Sequence, residues 1–281
     1  MKYENPEIPE GINVSKVRPL REILILGGGA LLLLIALSFS FGKIAGYLAQ
    51  YVPFEKEAAL SRELTLPKQG DAALMDYLSK MTQRVIEQME LPEEMAVQVH
   101  YSTDTTINAY ATLGGNVILF RGLMEKLPHE NALAMLVAHE IAHIKHRDPI
   151  TGLGSGIAIQ LFLAVVLGRT EASILGEAGV YTMLHFSRSM EGSADTAALQ
   201  ALHRLYGHTT GATSLFEVIQ AERKKMGIEL PAFFQSHPLD QERIDRIQQI
   251  SRQNGWSQNS ETTPLPKDFE RWLKVSEGSE Q

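Results

Sequence analysis

One segment of the chain places two histidines and a glutamate at a spacing that suits metal chemistry. His139, Glu140 and His143 lie in the run HEIAH, and the surrounding sequence from Glu130 to Arg147 predicts an α-helix. Residues four apart on an α-helix project from one face, so both imidazoles can bind the same cation. Glu140 lies beside them, where it can act on a water molecule without being a ligand. The segment therefore predicts a catalytic metal site.

A second segment offers the missing ligand. A catalytic zinc with two histidine ligands needs a third protein ligand and an open position. Glu191 lies in the run SRSMEGSAD, and Asp195 follows it four residues later on the same predicted helical face. We predict that Glu191 is the third ligand and that Asp195 accepts a hydrogen bond from the distal N–H of His139. A solvated helix face is the alternative, but the three small residues between the two acids suit close packing beside a buried site.

Composition excludes several other classes of protein. The chain has 281 residues, a formal net charge of −7 and no cysteine. A negative chain without a basic block has no counterion-release drive toward nucleic acid, which is therefore not expected as a partner. The lack of cysteine excludes disulfide frameworks, thiol catalysis and iron–sulfur ligation. Any metal must be bound by His, Asp or Glu.

The N-terminal part of the chain contains a predicted membrane anchor. From Ile23 to Gly42 there is no charged residue over a length of about 20 residues, enough to cross the hydrocarbon core as a helix. A cleaved signal peptide is the alternative, but the long acidic segment before the run and the length of the run argue against it. Residues 1–22 are predicted to be cytoplasmic, because basic residues crowd that flank. The bulk of the chain would then face outward.

A second apolar run, from Ile150 to Gly168, raises a topological question. His143 precedes the run and Glu191 follows it. A single crossing would leave two ligands of one metal on opposite sides of the membrane. We therefore predict that the run packs within the domain or grazes the membrane interface. The alternative is a return crossing between residues 171 and 186, which two glutamates make costly.

The remaining patterns predict an α+β, mainly α-helical domain over residues 43–252 that carries a small β-sheet. Apolar periodicity, β-like runs and glycine turns supply these predictions. Residues 253–281 are rich in polar residues and predict a mobile C-terminal tail. Besides the 130–147 helix, helices are predicted over 71–89, 171–205, 214–226 and 239–252, and strands over 95–101, 107–112 and 116–120, with Gly114 and Gly115 in the last turn.

Four motifs in order resemble the HtpX-like, BepA-like and OMA-type zinc metallopeptidases, which are relatives of the CAAX prenyl protease. The motifs are NAYAT at 108–112, HEIAH at 139–143, SRSMEGSAD at 187–195 and SHPLDQERI at 236–244. The resemblance extends from about Asp71 to Ile250 and implies a zincin domain of the gluzincin type with one Zn²⁺ per chain. A single membrane pass is unlike the four-pass HtpX architecture and similar to the OMA/BepA branch.

The resemblance also implies a mechanism and a cleft. Glu140 would take a proton from a water activated by the metal and pass it to the leaving amine. The strand from Asn116 to Phe120 is predicted to be an edge strand to which an extended substrate adds, an ordinary core strand being the alternative. Asn108 and Ala109 are predicted to line the cleft wall. The predicted substrate-binding residues are Asn108, Ala109, Asn116, Val117 and Ile118.

His237 and Arg243 form a further candidate pair. They lie six residues apart, so that a loop histidine and a helix arginine can converge on one pocket. His237 is predicted either to donate a hydrogen bond to the tetrahedral oxyanion or to bind zinc as a fourth protein ligand that makes the resting enzyme latent. Arg243 is predicted to place a positive charge near the oxyanion. A surface loop with a solvated arginine is the alternative.

Together these patterns predict a membrane-anchored zinc endopeptidase that cleaves polypeptide substrates in envelope protein quality control. The predicted location is the bacterial inner membrane, with the catalytic domain in the periplasm and the N-terminal helix in the lipid bilayer. A non-proteolytic zinc-binding chaperone or adaptor of the same fold is the alternative, and the presence of Glu140 counts against it. A metal-storage protein would have more ligands and no general base. The oligomeric state is not predicted.

Overall fold

The structure is a computed structural model that describes residues 19–62, 64–67, 70–167, 186–226, 233, 237 and 241–274. Within these residues the chain forms helices around one small sheet, as the predicted fold class requires. The helices are α1 (Pro19–Ala49), α2 (Phe54–Ser61), α3 (Ala72–Met89), α4 (Arg121–Met124), α5 (Glu130–Lys145), α6 (Asp148–Leu167), α7 (Arg188–Tyr206), α8 (Ser214–Met226), α9 (Gln241–Gln253) and α10 (Phe269–Lys274). The strands are β1 (Gln98–Ser102), β2 (Ala109–Thr112) and β3 (Asn116–Phe120).

Helix α5 runs through the centre of the domain. Every residue from Glu130 to Ile144 is buried, and the helix contacts α3, α7 and β2. Helix α3 buries the apolar face that its periodicity predicted, including Leu74 and Leu78, and Asp71 caps its N-terminus by accepting a hydrogen bond from the backbone N–H of Ala73 at 2.9 Å. The histidine-bearing helix is thus enclosed by the core.

The sheet places β3 at its centre. β3 pairs with β1 in parallel and with β2 in antiparallel orientation. The prediction that Asn116, Val117 and Ile118 lie on an edge strand is wrong, because both edges of β3 are hydrogen-bonded and its apolar run is buried on both faces. The Asn116 amide contacts His100 and donates to the carbonyl of Leu113, each at 2.8 Å, which is a structural role. The edge strands are β1 and β2.

A glycine turn joins β2 to β3, as the sequence predicted. Gly114 and Gly115 have φ values of 72° and 79°, in the left-handed region. A Cβ atom at Gly115 would lie 1.9 Å from the carbonyl oxygen of Ala96. Glycine is therefore required here both by conformation and by space.

The corner between α5 and α6 is held by contacts with residues outside these two helices. Arg147 adopts φ 64°, which ends α5 and lets Asp148 begin α6. The Arg147 guanidinium lies 3.0 Å from a carboxylate oxygen of Glu57 and donates to the carbonyl of Val52. These contacts hold Asp148 at a defined position beside the end of α5.

Helices α1 and α6 pack against each other. Within the part of the chain that the structure describes, α1 is the one helix that meets the length and composition requirements for crossing a membrane. Its apolar side chains are exposed, except along a stripe that faces α6. Phe41 of α1 stacks on Phe162 of α6 at a ring-centroid distance of 5.6 Å. Residues 168–185, which include most of the predicted return segment, lie outside the described residues.

The C-terminal segment packs on the domain as far as Lys274, whereas the sequence predicted a mobile tail. Phe269 and Leu273 of α10 are buried in the core, and the Tyr101 hydroxyl donates to the carbonyl of Leu273 at 2.7 Å. The backbone N–H of Thr263 donates to the side-chain oxygen of Asn131 at 2.8 Å. Two apolar residues one helical turn apart therefore anchor a segment whose overall composition is polar.

We expect Leu273→Ala to lower the free energy of unfolding by about 2 to 5 kcal/mol, because it removes a fully buried side chain from the core. Lys274→Ala on the same helix is the matched control and should change it by less than about 0.5 kcal/mol. The measurement is denaturant unfolding of the detergent-purified chain followed by tryptophan fluorescence. Both tryptophans, Trp256 and Trp272, lie in this segment. Equal unfolding curves for the two variants would contradict the packing of this segment in the core.

Candidate metal centre

Four side chains from three parts of the chain meet at one point. His139 and His143 come from α5, Glu191 comes from the first turn of α7, and His237 comes from the segment before α9. Their donor atoms all lie within 4.8 Å of one another, and each side chain is at most 1% exposed. The structure therefore brings together the three predicted ligands and adds His237 to them.

The separations between donor atoms suit a tetrahedral cation. Metal–donor bonds of about 2.0 to 2.2 Å in a tetrahedron require donors about 3.3 to 3.6 Å apart. The Nε2 atoms of His139 and His143 are 3.1 Å apart, and they lie 3.5 Å and 3.4 Å from the oxygens of Glu191. Nδ1 of His237 lies 3.4 Å from Nε2 of His139 and 3.0 Å from Glu191. The residues present fit a metal ion of zinc size.

Each α5 histidine has its own carboxylate on the side away from the cluster. Nδ1 of His139 lies 3.1 Å from an oxygen of Asp195, its predicted partner, and the hydrogen bond between them stays a prediction. Nδ1 of His143 lies 2.8 Å from Asp148, a partner that sequence reasoning missed. Its signal was an aspartate five residues after His143, at the predicted helix end. Such carboxylates select the tautomer and orientation of a metal-binding imidazole.

Arg243 contacts the site through the carboxylates of Asp195 and Glu191. Its guanidinium donates to both oxygens of Asp195 at 2.8 and 2.7 Å and lies 2.6 Å from Glu191. The side chain is 8% exposed and its charged end lies 5.0 Å from the ring centroid of Phe216. The predicted convergence of His237 and Arg243 on one pocket therefore agrees with the geometry. These contacts of Arg243 hold Glu191, a predicted ligand, and Asp195, which lies beside it.

The buried charges at the site favour a cation. Burial disfavours the imidazolium of His139, but Asp195 and Glu191 outweigh it and raise the pKa of His139 to about 10. Burial likewise disfavours the ionised form of Glu191, but the surrounding histidines hold its pKa well below the usual range. Among the described residues, four buried carboxylates lie at the site with one buried guanidinium, which contacts two of them. These groups are Glu140, Asp148, Glu191, Asp195 and Arg243. A divalent ion would offset this excess of negative charge.

Glu140 differs from the other carboxylates because neither of its oxygens has a hydrogen-bond partner among the described residues. The side chain is fully buried, and Nε2 of His237 lies 3.7 Å from one of its oxygens. Burying a carboxylate without a partner is costly, and such exceptions call for a functional explanation. Glu140 lies beside the donor cluster, and its role as a general base stays a prediction.

Two aromatic rings cover the cluster. Phe186 stacks on His143 with a centroid distance of 4.0 Å, and Phe233 stacks on His237 at 4.6 Å. The backbone N–H of Phe233 donates to the carbonyl of Ile107 at 3.2 Å, immediately before the edge strand β2. Sequence reasoning did not identify either phenylalanine, because a lone aromatic residue carries no spacing signal. In this arrangement the donor atoms are closed off from solvent.

The remaining predicted cleft residues lie near the same edge. Ala109 is fully buried at the start of β2, and the carbonyl of Asn108 accepts a hydrogen bond from the backbone N–H of Phe120 at 3.3 Å. β2 contacts α5, the helix that carries His139 and His143. The role of Asn108 and Ala109 as cleft wall stays a prediction.

Comparisons with known proteins agree with this site. The signature of peptidase family M48 matches residues 72–251. The chain is 29% identical over 178 residues to the mitochondrial metalloendopeptidase OMA1 of Schizosaccharomyces pombe, an alignment that covers 62% of this chain and 52% of the relative. It is 26% identical over 193 residues to the beta-barrel assembly-enhancing protease of Escherichia coli, covering 63% of this chain and 39% of the relative.

A third relative is matched over more of its length. The protease HtpX of Acinetobacter baylyi is 25% identical over 272 residues, which covers 80% of this chain and 89% of the relative. By contrast, the chain spans about half the length, or less, of the other two relatives. The family match over residues 72–251 includes both α5 histidines, Glu191, His237 and Arg243. This chain belongs to peptidase family M48.

Proposed function

We propose that the chain is a zinc-dependent endopeptidase anchored in a membrane by α1. The observation that carries the proposal is Glu140, a buried carboxylate without a hydrogen-bond partner beside a cluster of four donor side chains. The relatives named as proteases support the same activity. A non-proteolytic adaptor would have no use for an unpartnered acid at this position.

We assign the cation as Zn²⁺, one per chain, with His139, His143 and Glu191 as its ligands. Nitrogen and carboxylate donors in tetrahedral arrangement suit zinc, and the chain has no cysteine to offer. When bound, zinc would polarise a peptide carbonyl and make a neighbouring water more acidic. Asp195 and Asp148 would hold the imidazoles in the orientation that binding requires.

Glu140 supplies the proton transfer. Its carboxylate takes the proton from the attacking water and delivers it to the leaving amine, which is the role of a general base and then of a general acid. Arg243 positions Glu191 and Asp195 through its three short contacts. Since β2 is the edge strand that contacts α5, we propose that an extended substrate adds to β2 and passes Asn108 and Ala109.

His237 keeps the resting site closed. Its Nδ1 atom lies among the ligand atoms, and the stacked ring of Phe233 buries it. This position supports the role of a fourth protein ligand rather than a freely available oxyanion donor. A substrate would have to displace His237 to reach the metal. The resting enzyme is therefore latent.

The membrane assignment rests on α1. Its outward-facing apolar residues, such as Leu20 and Leu32, are 77% and 68% exposed, which is unfavourable in water and favourable in lipid. We propose that the domain lies outside the cytoplasm, in the periplasm of a bacterium, where its substrates would be polypeptides of the envelope. The positive-inside rule supports this orientation through the basic flank before α1.

We expect Glu140→Gln to retain the metal but to reduce peptide hydrolysis by about 10² to 10⁴-fold, because only the proton transfer is lost. His139→Ala and Glu191→Ala should lose the metal as well. Glu130→Gln, at the other end of α5, is the matched control and should keep both. Zinc content and hydrolysis of a casein-derived peptide are measured on the same detergent-purified samples. Hydrolysis by Glu140→Gln at the parent rate would rule out the proposed base.

We expect His237→Ala to raise the basal rate of hydrolysis while zinc is retained, because the variant removes the closing ligand. His203→Ala is the control, since His203 stacks on Trp256 away from the site. The measurement is the steady-state rate on one peptide at saturating zinc. A lower rate with zinc retained would instead identify His237 as the oxyanion donor.

We expect Arg243→Ala to weaken zinc binding and lower turnover, because Glu191 and Asp195 lose their shared partner. Arg243→Lys should not restore either property, since one ammonium cannot reproduce the forked contacts of a guanidinium. Arg246→Ala, an exposed position on the same helix, is the control. Zinc affinity is measured by competition with a chelator. Parent-like zinc affinity in Arg243→Ala would contradict the proposal that Arg243 positions Glu191 and Asp195.

A further inference from the structure

Helix α2 carries a buried acid that contacts two other parts of the domain. The acid is Glu57, which is 2% exposed. One oxygen of its carboxylate accepts a hydrogen bond from the backbone N–H of Gly114 at 3.0 Å, in the turn between β2 and β3. The other oxygen lies 3.0 Å from the guanidinium of Arg147, at the corner between α5 and α6. One carboxylate therefore joins the glycine turn to that corner.

The burial of Glu57 is unfavourable for its charge. Burial raises the pKa of the Glu57 carboxyl, and the Gly114 N–H and the Arg147 guanidinium oppose that rise without cancelling it. An apolar side chain at this position would avoid the cost of burying a charge, but it would bond to neither segment. The two contacts of the carboxylate are therefore what distinguishes glutamate here from an apolar residue.

Arg147 relates this contact to the metal centre through its backbone. Its φ of 64° lies in the left-handed region, which a residue with a side chain seldom occupies unless its surroundings hold it there. Its N–H donates to the carbonyl of Ile144 at the end of α5, and its carbonyl accepts from the N–H of Thr151 in the first turn of α6. The conformation of Arg147 thus sets the position of Asp148, which lies 2.8 Å from Nδ1 of His143.

The guanidinium of Arg147 is held by the segment that follows α1. Besides its contact with Glu57, it donates to the carbonyl of Val52. Its charged end also lies 5.3 Å from the ring centroid of Phe54. The left-handed turn before Asp148 therefore depends on three groups from residues 52–57.

The glycine turn is the second segment that Glu57 holds. A Cβ atom at Gly114 would collide with the Ser61 hydroxyl, so α2 lies directly against the turn. Leu113 in the same turn is buried against Ile150 and Leu153 of α6. The turn ends β2, the strand to which we propose that a substrate adds. Helix α2 therefore bears on the position of this strand.

We propose that Glu57 is a positioning residue that fixes the predicted metal ligand His143 and the edge strand β2 relative to each other. The connection to the metal centre runs through Arg147 and Asp148, and the connection to β2 runs through Gly114. The inference rests on the proposed peptidase function, in which a substrate pairs with β2 and is cleaved at the metal centre. A misplacement of about 1 Å between reacting groups costs about 10²-fold in rate, so a carboxylate shared by both elements affects turnover.

The connection to the metal centre is tested by metal binding. Glu57→Gln keeps the size of the side chain but removes its charge, and zinc affinity in competition with a chelator should fall about three- to tenfold. Asp148→Asn changes the direct partner of His143 and should lower it about 10- to 100-fold. Both variants should shift the absorption bands of the Co²⁺-loaded chain, which report ligand geometry. Glu55→Gln, an exposed position on α2, is the matched control. Parent affinity and an unshifted spectrum in Glu57→Gln would overturn this connection.

Steady-state kinetics on one peptide tests the connection to β2. In Glu57→Gln the amide oxygen can still accept the hydrogen bond from Gly114, so kcat should fall while KM stays within about twofold of the parent value. Glu57→Ala also releases Gly114, so KM should rise at least about threefold in addition. A purely structural role would lower the stability of both variants without this difference in KM. Equal KM values in Glu57→Ala and the parent would overturn the connection to β2.

Hydrogen exchange tests the coupling in the parent chain, so the result does not depend on the folding of any variant. Coupling between two sites is reciprocal, so zinc should slow exchange of the Gly114 N–H at least about threefold if Glu57 joins the turn to the metal centre. The detergent-purified chain is compared with and without zinc. The N–H of Trp256, which donates to the carbonyl of Ser251 in the C-terminal segment, is the control. Equal exchange at Gly114 in both samples would overturn the proposal.

Failure of this inference and failure of the proposed activity give different results. A parent chain that binds zinc but cleaves no peptide would refute the proposed activity, and the connection to β2 would then lose its functional meaning. Zinc affinity, the Co²⁺ spectrum and exchange at Gly114 need no hydrolysis, so they would still decide whether Glu57 positions the metal centre. An active parent with parent-like metal binding in Glu57→Gln would refute the positioning role alone.

Discussion

The structure depends on one constraint, which is that donor atoms from distant parts of the chain must lie about 3.4 Å apart without access to water. His139 and His143 are supplied together by one helix, but Glu191 lies on another, and His237 lies on a third segment. Bringing the carboxylates Glu140, Asp148, Glu191 and Asp195 into the interior is unfavourable unless positive charge accompanies them. Arg243 provides one such charge, and a divalent cation would provide two more.

The fold meets this constraint by making the histidine helix the most buried element of the domain. Helix α5 is enclosed along its length, so its side chains have few alternative orientations. Asp195 and Asp148 hold the two imidazoles from opposite elements, and Arg147 fixes the corner at which Asp148 stands. These contacts fix the donor atoms from the protein side, which reduces the cost of ordering the site when a metal or a substrate binds.

The same corner connects the metal centre to the membrane anchor. Asp148 is both the partner of His143 and the first residue of α6, and α6 packs on α1 through glycines that leave no room for larger side chains. A displacement of α6 along α1 would therefore be transmitted to the orientation of His143. The candidate metal centre and the proposed membrane anchor thus share one continuous structural element, and small residues stand at the contact of α1 and α6 because the helices approach closely there.

Local spacing in the sequence was enough to pair His139 with His143 and Glu191 with Asp195, because the helical repeat places residues four apart on one face. Glu140 was singled out by its place next to His139 in the HEIAH run. The apolar runs likewise predicted α1 and most other helices, since helix periodicity and turn residues are local signals. The order of the strands was decided by the tertiary structure, because a buried apolar run reads alike at the edge and the centre of a sheet. The stacking of Phe186 on His143 and the docking of Leu273 depend on contacts between distant segments, for which a single sequence carries no periodic signal. Asp148 lies only five residues from His143, but the turn at Arg147 that brings them together is held by Glu57 and Val52.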